Sequence, residues 1–134
     1  QESWFCVRMK YRSTLIIVSI LGAFAVGLGA FGAHALEDSL SPERLETWNT
    51  AVTYQMWHVL AILSLILISK VFELELKWSI NLMIAGIFIF SGSLYILCLT
   101  DINWLGAITP IGGVCFILGW LLVVWNIFQS KSSL

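Results

Sequence analysis

The chain has 134 residues, of which 59% are hydrophobic and 11% are charged, and its formal net charge is −1. So little charge cannot cover the surface of a soluble globular domain, which excludes that class and predicts that lipid is the outer solvent. Because no basic stripe exists beyond a short N-terminal cluster, nucleic acid is not expected as a partner.

Four stretches contain no Asp, Glu, Lys or Arg: residues 14–33, 48–69, 78–99 and 104–128. Each reaches the roughly 20 residues that carry an α-helix across a ~30 Å hydrocarbon core. The sequence therefore predicts an all-α membrane protein built as a four-span transmembrane helical bundle. This domain covers residues 14–128, between a basic N-terminal segment, 1–13, and a short tail, 129–134.

The basic residues predict which way the bundle faces. Six of the seven lie before the first span, between the second and third spans, or after the fourth, and only Arg44 lies elsewhere. Cytoplasmic loops are enriched in Lys and Arg, so both termini should be cytoplasmic and loops 34–47 and 100–103 external. Aromatic rings that favour the headgroup zone should mark the two interfaces. These are Trp48 and Trp104 outside, and Tyr11, Trp78 and Trp125 inside.

The first span carries small residues at spacings of three and four, namely Gly22, Ala25, Gly29, Gly32 and Ala33. In lipid, helix association depends on close backbone approach, which small residues permit. We interpret this stripe as a packing face, directed either at another span or at a second protomer. A substrate passage lined by glycine is the alternative.

Two cap-then-proline patterns predict where helices begin. Ser41 is a suitable N-cap, Pro42 fits the first helical position, and Glu43 favours the positive end of the helix dipole. The second span should therefore begin outside the bilayer. Thr109-Pro110 has the same form and predicts that the fourth span starts at Pro110 after an irregular segment, with a proline kink in a longer helix as the alternative.

Polar residues enter the bilayer on the second span. Thr50, Tyr54 and His58 follow one another at intervals of four, and Gln55 flanks them. Such groups are costly against hydrocarbon unless bonded, so this ridge should face the bundle interior. Its expected partners are Ser91, Ser93 and Tyr95 of the third span and Thr109 of the fourth. A structural role for His58 needs one donor and one acceptor, whereas proton relay or ligand binding is the functional alternative.

The outer loop offers His34, Glu37 and Asp38 as candidate ligands, but a short solvated loop with these residues is a weak metal signal. We expect no metal and no cofactor. We also expect no catalytic residue, because no acid/base pair, nucleophile motif or oxyanion loop accompanies the serines and threonines. The three cysteines lie at unrelated spacings and predict no disulfide.

Four ordered strings carry a family resemblance: LGAFGAHAL at 28–36, TWNTAVTYQMWH at 47–58, FSGSLY at 90–95 and LGAITPIGG at 105–113. Over about residues 9–128 the chain resembles the YgdD/YwdK-like membrane proteins, domain of unknown function 423, which look related to the eukaryotic transmembrane protein 256. Asn49 departs from the glutamine expected there. The resemblance implies a small four-span protein of the bacterial inner membrane, or of a mitochondrial membrane in a eukaryote, and supplies no activity.

The sequence favours a structural or accessory membrane protein without enzymatic activity. It would pack within itself, as a homo-oligomer or in a larger membrane complex. The alternative is a small permease or proton-linked carrier that uses the polar ridge of the second span.

Overall fold

Residues 10–130 are described in a computed structural model, and within them four helices are long and apolar enough to cross a membrane. The four spans run Arg12–His34, Pro42–Val71, Lys77–Thr100 and Asn103–Gln129. This confirms the predicted all-α, four-span fold. The first nine residues of the predicted N-terminal segment and the last four of the tail lie outside the described residues.

The second span begins as predicted. The Ser41 hydroxyl accepts a hydrogen bond from the Arg44 backbone N–H at 3.2 Å, Pro42 opens the helix, and Glu43 lies in the first turn. A 30-residue helix is about 45 Å long, so its first turns extend beyond a ~30 Å hydrocarbon core.

The fourth span also starts in two parts, but Thr109 is not the N-cap that the sequence predicts, since this helix has no side-chain cap and the Thr109 hydroxyl bonds Ser93 and Leu105. A 3₁₀ segment, Asn103–Ala107, precedes an α-helix, Thr109–Gln129, with Pro110 in its first turn. A proline costs little there, because the first N–H groups of a helix have no intrahelical partner. The alternative of a proline kink inside one long helix is therefore wrong.

The third span contains an unpredicted break in its α-helical pattern. It consists of the α-helix Lys77–Gly86, a π-helical turn, Ile87–Ser91, and the α-helix Gly92–Thr100. Gly112 of the fourth span lies directly against this turn, since a Cβ atom there would be 2.4 Å from the Phe90 backbone nitrogen. The wider turn pushes the backbone towards the fourth span, and only glycine fits against it.

Neighbouring spans pack in chain order, with the first on the second, the second on the third and the third on the fourth. The small residues of the first span mediate the first of these contacts. A Cβ on Gly32 would be 2.5 Å from the Trp48 ring, and a Cβ on Gly29 would be 3.3 Å from a Val52 methyl. The predicted packing stripe therefore lies against the second span of the same chain.

Ala33 does not belong to this packing face, contrary to the sequence-based assignment. It is exposed, whereas Ala25 and Gly32 are buried. Successive helical residues are turned by about 100°, and the contact is centred on the side of Ala25 and Gly32, which leaves Ala33 at its edge.

A second set of glycines joins the third and fourth spans, and the sequence analysis did not identify it. The Phe116 ring fills the space above Gly86, where a Cβ would approach it to 2.5 Å. Gly119 lies against Met83, whose Cγ would be 3.0 Å from an added Cβ. The interface between the first and second spans and the interface between the third and fourth spans are thus both packed closely at glycines.

Two of the five rings expected at the membrane interfaces are instead buried. Trp48 is 1% exposed and Tyr11 is 6% exposed, because each directs its polar atom into the bundle. Trp78, Trp104 and Trp125 are each more than half exposed, as an interfacial position requires.

Ion pairs mark the two ends of the bundle. Lys10 and Glu75 are 2.7 Å apart, beside the connection between the second and third spans. Arg44 and Asp101 are 2.9 Å apart at the opposite end, where the other two connections meet. The up-and-down arrangement therefore places loops 34–47 and 100–103 together, as the topology prediction requires.

We predict that Gly112→Ala lowers the free energy of unfolding by about 1–3 kcal/mol, since its methyl group would clash with fixed backbone at Phe90. Gly113→Ala is the matched control. Its added Cβ would be 3.9 Å from the Phe90 ring, an ordinary contact, so this variant should be neutral or slightly more stable. Reversible unfolding in mixed micelles measures both, and equal effects at the two positions would contradict the close approach.

The Lys10–Glu75 pair predicts a weak pH dependence of stability. The hydrogen bond from Lys10 holds the pKa of Glu75 below 4.5, and the same bond holds the pKa of Lys10 above 10.5. The carboxylate contribution is therefore complete above pH 4.5 and is lost as the pH falls through the lowered pKa. The ammonium contribution is complete below pH 10.5 and is lost as the pH rises through the raised pKa.

Both side chains are substantially exposed, so the pair should contribute at most about 1 kcal/mol. Glu75→Gln should lose this amount at neutral pH and match the unaltered protein in acid, where the carboxyl is protonated. A difference in unfolding free energy that stays constant down to strong acid would show that the charge plays no part.

Candidate functional site: an intramembrane polar network

Gln55 joins three spans at the centre of the bundle. Its side chain is 3% exposed, and its amide Nε2 donates to the Leu21 carbonyl oxygen of the first span at 2.7 Å. Its Oε1 accepts a hydrogen bond from the Tyr95 hydroxyl of the third span, also at 2.7 Å. The second span thus holds both neighbours through one side chain.

His58 joins the second span to the fourth. Its Nδ1 lies 2.8 Å from the Tyr54 carbonyl oxygen, and its Nε2 lies 3.2 Å from the indole Nε1 of Trp120. A carbonyl only accepts and an indole N–H only donates, so Nδ1 carries the proton and Nε2 accepts. The imidazole is therefore neutral with both nitrogens bonded, and it stacks on Phe116 at a centroid distance of 3.6 Å.

Hydroxyl groups of the third span complete the network. Ser91 donates to the Ala51 carbonyl oxygen of the second span at 2.7 Å. Ser93 and Thr109 share a hydrogen bond of 2.6 Å between the third and fourth spans. Of the four partners expected for the ridge, Tyr95 bonds the ridge side chain of Gln55, Ser91 bonds only the backbone of the second span, and Ser93 and Thr109 bond each other. None of the groups in these bonds is charged.

Thr50 is placed outside this network, which corrects the predicted ridge. Its hydroxyl donates to the Glu46 carbonyl oxygen of its own helix at 3.0 Å. Threonine readily forms this bond to the preceding turn, and Thr50 therefore needs no partner on another span. Tyr54 contributes its ring, which lies 4.7 Å from the Phe90 ring between centroids.

The outer-loop residues His34, Glu37 and Asp38 are all exposed. Among residues 10–130, no group of three His, Cys, Asp or Glu side chains is close enough to hold a metal ion. The polar contacts at this end of the bundle are instead made by Arg44. Its guanidinium binds the Asp101 carboxylate and also donates to the Asn103 side-chain oxygen at 3.0 Å.

Sequence reasoning missed two tryptophans that act as donors. Trp48 donates from Nε1 to the Leu28 carbonyl oxygen at 2.8 Å, and Trp120 donates to His58. Trp120 lies within the fourth span, about 7.5 Å along the helix from the predicted interface residue Trp125, and its indole N–H therefore gains from a partner inside the bundle. The position of Trp120 inside an apolar span was the sequence signal that could have identified it as a donor. Of the buried side-chain oxygens and nitrogens in the described residues, only the Ser79 hydroxyl has no partner.

The fold and this network define a class, a small four-span membrane protein whose helices are joined by uncharged hydrogen bonds. The chain belongs to the DUF423 family, described as proteins of unknown function, whose family model matches residues 28–113. The matched segment contains Gln55, His58 and Tyr95, the third-span partner of Gln55, whereas Trp120, the fourth-span partner of His58, lies beyond it.

Relatives support the same assignment. A UPF0382 membrane protein of Staphylococcus saprophyticus is 52% identical over 115 residues, covering 85% of this chain and 96% of the relative. One from Staphylococcus epidermidis is 54% identical over 110 residues, covering 81% and 90%. The UPF0382 membrane protein YwdK of Bacillus subtilis is 46% identical over 114 residues, covering 82% and 91%. No solved structure matches the chain.

We predict that Tyr95→Phe destabilises the bundle by about 1 kcal/mol, because it leaves the buried Gln55 Oε1 without its donor. A double-mutant cycle with Gln55→Leu should give a non-zero coupling energy between the two positions. Thr50→Val is the control, since the Thr50 hydroxyl bonds only its own helix, and its effect should be close to zero. Additive single effects at Gln55 and Tyr95 would contradict the bond.

Proposed function

We propose that the chain is a structural or accessory membrane protein without enzymatic activity. The observation that best supports this proposal is that the polar side chains inside the bundle bond one another or the backbone of neighbouring turns and spans. Gln55, His58, Ser91, Ser93 and Tyr95 all form hydrogen bonds to other groups of the bundle. Buried polar groups that satisfy one another fix the relative positions of the helices, which is a structural role.

The carrier alternative receives no support from the geometry at His58. A doubly protonated imidazole donates from both nitrogens, but Nε2 faces the indole N–H of Trp120, which is itself only a donor. Taking up a proton would break that bond and place two donors against each other. The uncharged network around the ring offers no carboxylate to receive the proton next.

The proposed location is the cytoplasmic membrane, with both termini in the cytoplasm. Three features support it: the four spans, the naming of relatives as membrane proteins, and the six basic residues on the predicted inner side.

A partner, either another copy or a different membrane protein, would contact the outer sides of the first and fourth spans. The small-residue face of the first span is occupied by the second span, with Gly22 against Val59 and Gly32 against Trp48. In contrast, only 17% of the residues in an apolar 18-residue stretch are buried in the first span, and the fraction is the same in the fourth. These two spans therefore offer most of the surface available for assembly.

Photo-crosslinking in intact membranes tests the proposal before detergent can separate an assembly. A benzophenone amino acid would replace, one at a time, the exposed residues Val26, Phe31, Leu121 and Phe128. We expect at least one position to give a crosslinked species larger than the 15.0 kDa monomer, and mass spectrometry would identify it.

Phe116 is the matched control, because it is 4% exposed and should crosslink only within its own chain. Monomer at all four exposed positions, together with monomer on blue-native electrophoresis after gentle solubilisation, would contradict an accessory role. A flux in reconstituted vesicles that His58→Phe abolishes would favour the carrier instead.

A further inference from the structure

Thr53 and Trp57 form a polar patch on the lipid-facing side of the second span. Both side chains are exposed, and Trp57 is 60% exposed. The indole N–H groups of Trp48 and Trp120 are bonded inside the bundle, whereas that of Trp57 has no hydrogen-bond partner among residues 10–130. The Thr53 hydroxyl also has no partner in the part of the chain that the structure describes. The patch therefore offers one donor, and one hydroxyl that both donates and accepts, to a molecule outside the bundle.

Trp57 lies near the middle of the bilayer. The nearest charged residues along its helix are Glu46, eleven residues earlier, and Lys70, thirteen residues later, which is roughly 16 and 20 Å at 1.5 Å per residue. A hydrocarbon core of ~30 Å fits between them. Water and headgroup oxygens, which serve tryptophans at the membrane interfaces, do not reach this depth.

Neither the helix itself nor the surrounding lipid can supply the acceptor for Trp57. A threonine can turn its hydroxyl to the carbonyl of the preceding turn, as Thr50 does, but an indole N–H is too far from its own backbone to do so. The Trp57 ring instead packs against that of Tyr54, at a centroid distance of 5.3 Å. Acyl chains contain no acceptor. The acceptor must therefore come from a molecule that carries a polar group to this depth.

The exposed face that contains this patch has the spacing of a helix-pairing seam. From residue 53 to residue 67 only five residues are exposed, and they are separated by intervals of four, three, four and three. Alternating intervals of this kind define the a and d positions of a left-handed helix pair. We call this face the second-span seam; its residues are Thr53, Trp57, Leu60, Ser64 and Leu67.

A second copy of the chain would supply the acceptor at the correct depth. The distribution of basic residues directs every copy across the membrane in the same direction, so two paired second spans run parallel and equivalent residues meet at equal depth. A helical side chain leans towards the N-terminus of its helix, which brings the Trp57 indole to the turn that carries Thr53. The N–H of one copy then meets the Thr53 hydroxyl oxygen of the other, which has two lone pairs to accept it.

We propose that the chain forms a parallel homodimer through the second-span seam, in which Trp57 of each copy donates a hydrogen bond to Thr53 of the other. Two-fold symmetry forms this bond twice, and Leu60 and Leu67 pack below it. The contact is separate from the outer sides of the first and fourth spans, on which the proposed accessory role relies. Those surfaces stay free for a different protein.

Trp57→Phe tests the proposal, because it keeps an aromatic ring and removes the N–H. The full chain would be labelled on its N-terminal amino group with a donor or an acceptor fluorophore and reconstituted in phosphatidylglycerol and phosphatidylethanolamine vesicles. Energy transfer measured over a range of protein-to-lipid ratios gives the dimer dissociation constant. We expect Trp57→Phe to raise this constant about five- to tenfold, the effect of losing two interhelical hydrogen bonds of ordinary strength. Trp125→Phe is the matched control, since Trp125 is 58% exposed but lies outside the seam, and it should leave the constant unchanged.

A double-mutant cycle tests the identity of the acceptor. Thr53→Val keeps the shape of the side chain and removes its hydroxyl, so it should weaken the dimer as much as Trp57→Phe does. The double variant should be no weaker than either single variant, because both remove the same bond. Thr53→Ser retains a hydroxyl and should restore most of the affinity. Circular dichroism checks that each variant folds.

Energy transfer that never exceeds random proximity, or a dimer that neither Trp57→Phe nor Thr53→Val weakens, would overturn the proposal. Additive effects of the two substitutions would overturn the bond between them. A benzophenone amino acid at Leu60 gives an independent result, since it should crosslink to a second copy. A crosslink from that position only to a different polypeptide would also overturn the proposal. None of these outcomes decides whether the first and fourth spans bind another protein, which the crosslinks at Val26, Phe31, Leu121 and Phe128 test separately.

Discussion

The constraint on which this structure depends is that a polar group inside the hydrocarbon region must find its partner within the protein. Each unbonded group there costs several kcal/mol, so a polar side chain can persist mid-membrane only where a neighbouring helix supplies a donor or acceptor. Among residues 10–130, three such bonds between spans, besides the weaker one from the Cys98 thiol to Arg44, end on backbone carbonyl oxygens: Trp48 on Leu28, Gln55 on Leu21, and Ser91 on Ala51. A carbonyl has two lone pairs, so it can accept these bonds while it keeps its own helical bond.

This use of carbonyls explains where the small residues of the first span lie. A helical side chain leans towards the N-terminus and covers the carbonyl four residues before it. The carbonyls of Leu21 and Leu28 are therefore accessible because Ala25 and Gly32 stand at those covering positions. Both of these residues are buried, and Ala33, which covers neither carbonyl, is exposed. The stripe serves hydrogen bonding as well as close packing.

The parts of the fold that could be predicted from sequence are those specified by local chemistry. The four spans follow from their lack of charge, and the start at Ser41-Pro42 follows from capping chemistry that involves only adjacent residues. Pro110 also lies in a first turn, but Thr109 does not act as the expected cap, because its hydroxyl bonds Ser93 of the third span. The π-helical turn at Ile87–Ser91 could not be predicted in this way, because its width is matched by Gly112, some twenty residues later in the chain.

The same distinction applies to the polar network. Intervals of four residues placed Thr50, Tyr54 and His58 on one face, yet spacing alone does not show whether a hydroxyl bonds another helix or its own preceding turn. Thr50 uses its own turn, and Gln55, treated as a flanking residue, became the centre of the network. The register between helices decides which group meets a partner, and register depends on all the contacts between two spans together.

These contacts also restrict where the protein can meet other molecules. In an apolar 18-residue stretch of each span, 39% of the residues of the second span and 44% of those of the third are buried. In the first and fourth spans this fraction is 17% each. The hydrogen-bonding groups at the core bind one another, so a ligand could reach them only by breaking bonds between helices. The surfaces open to the bilayer are hydrocarbon for the most part, and Thr53 and Trp57 are among the exceptions. Recognition within the membrane must therefore depend on shape together with the few polar side chains that the lipid-facing surface presents.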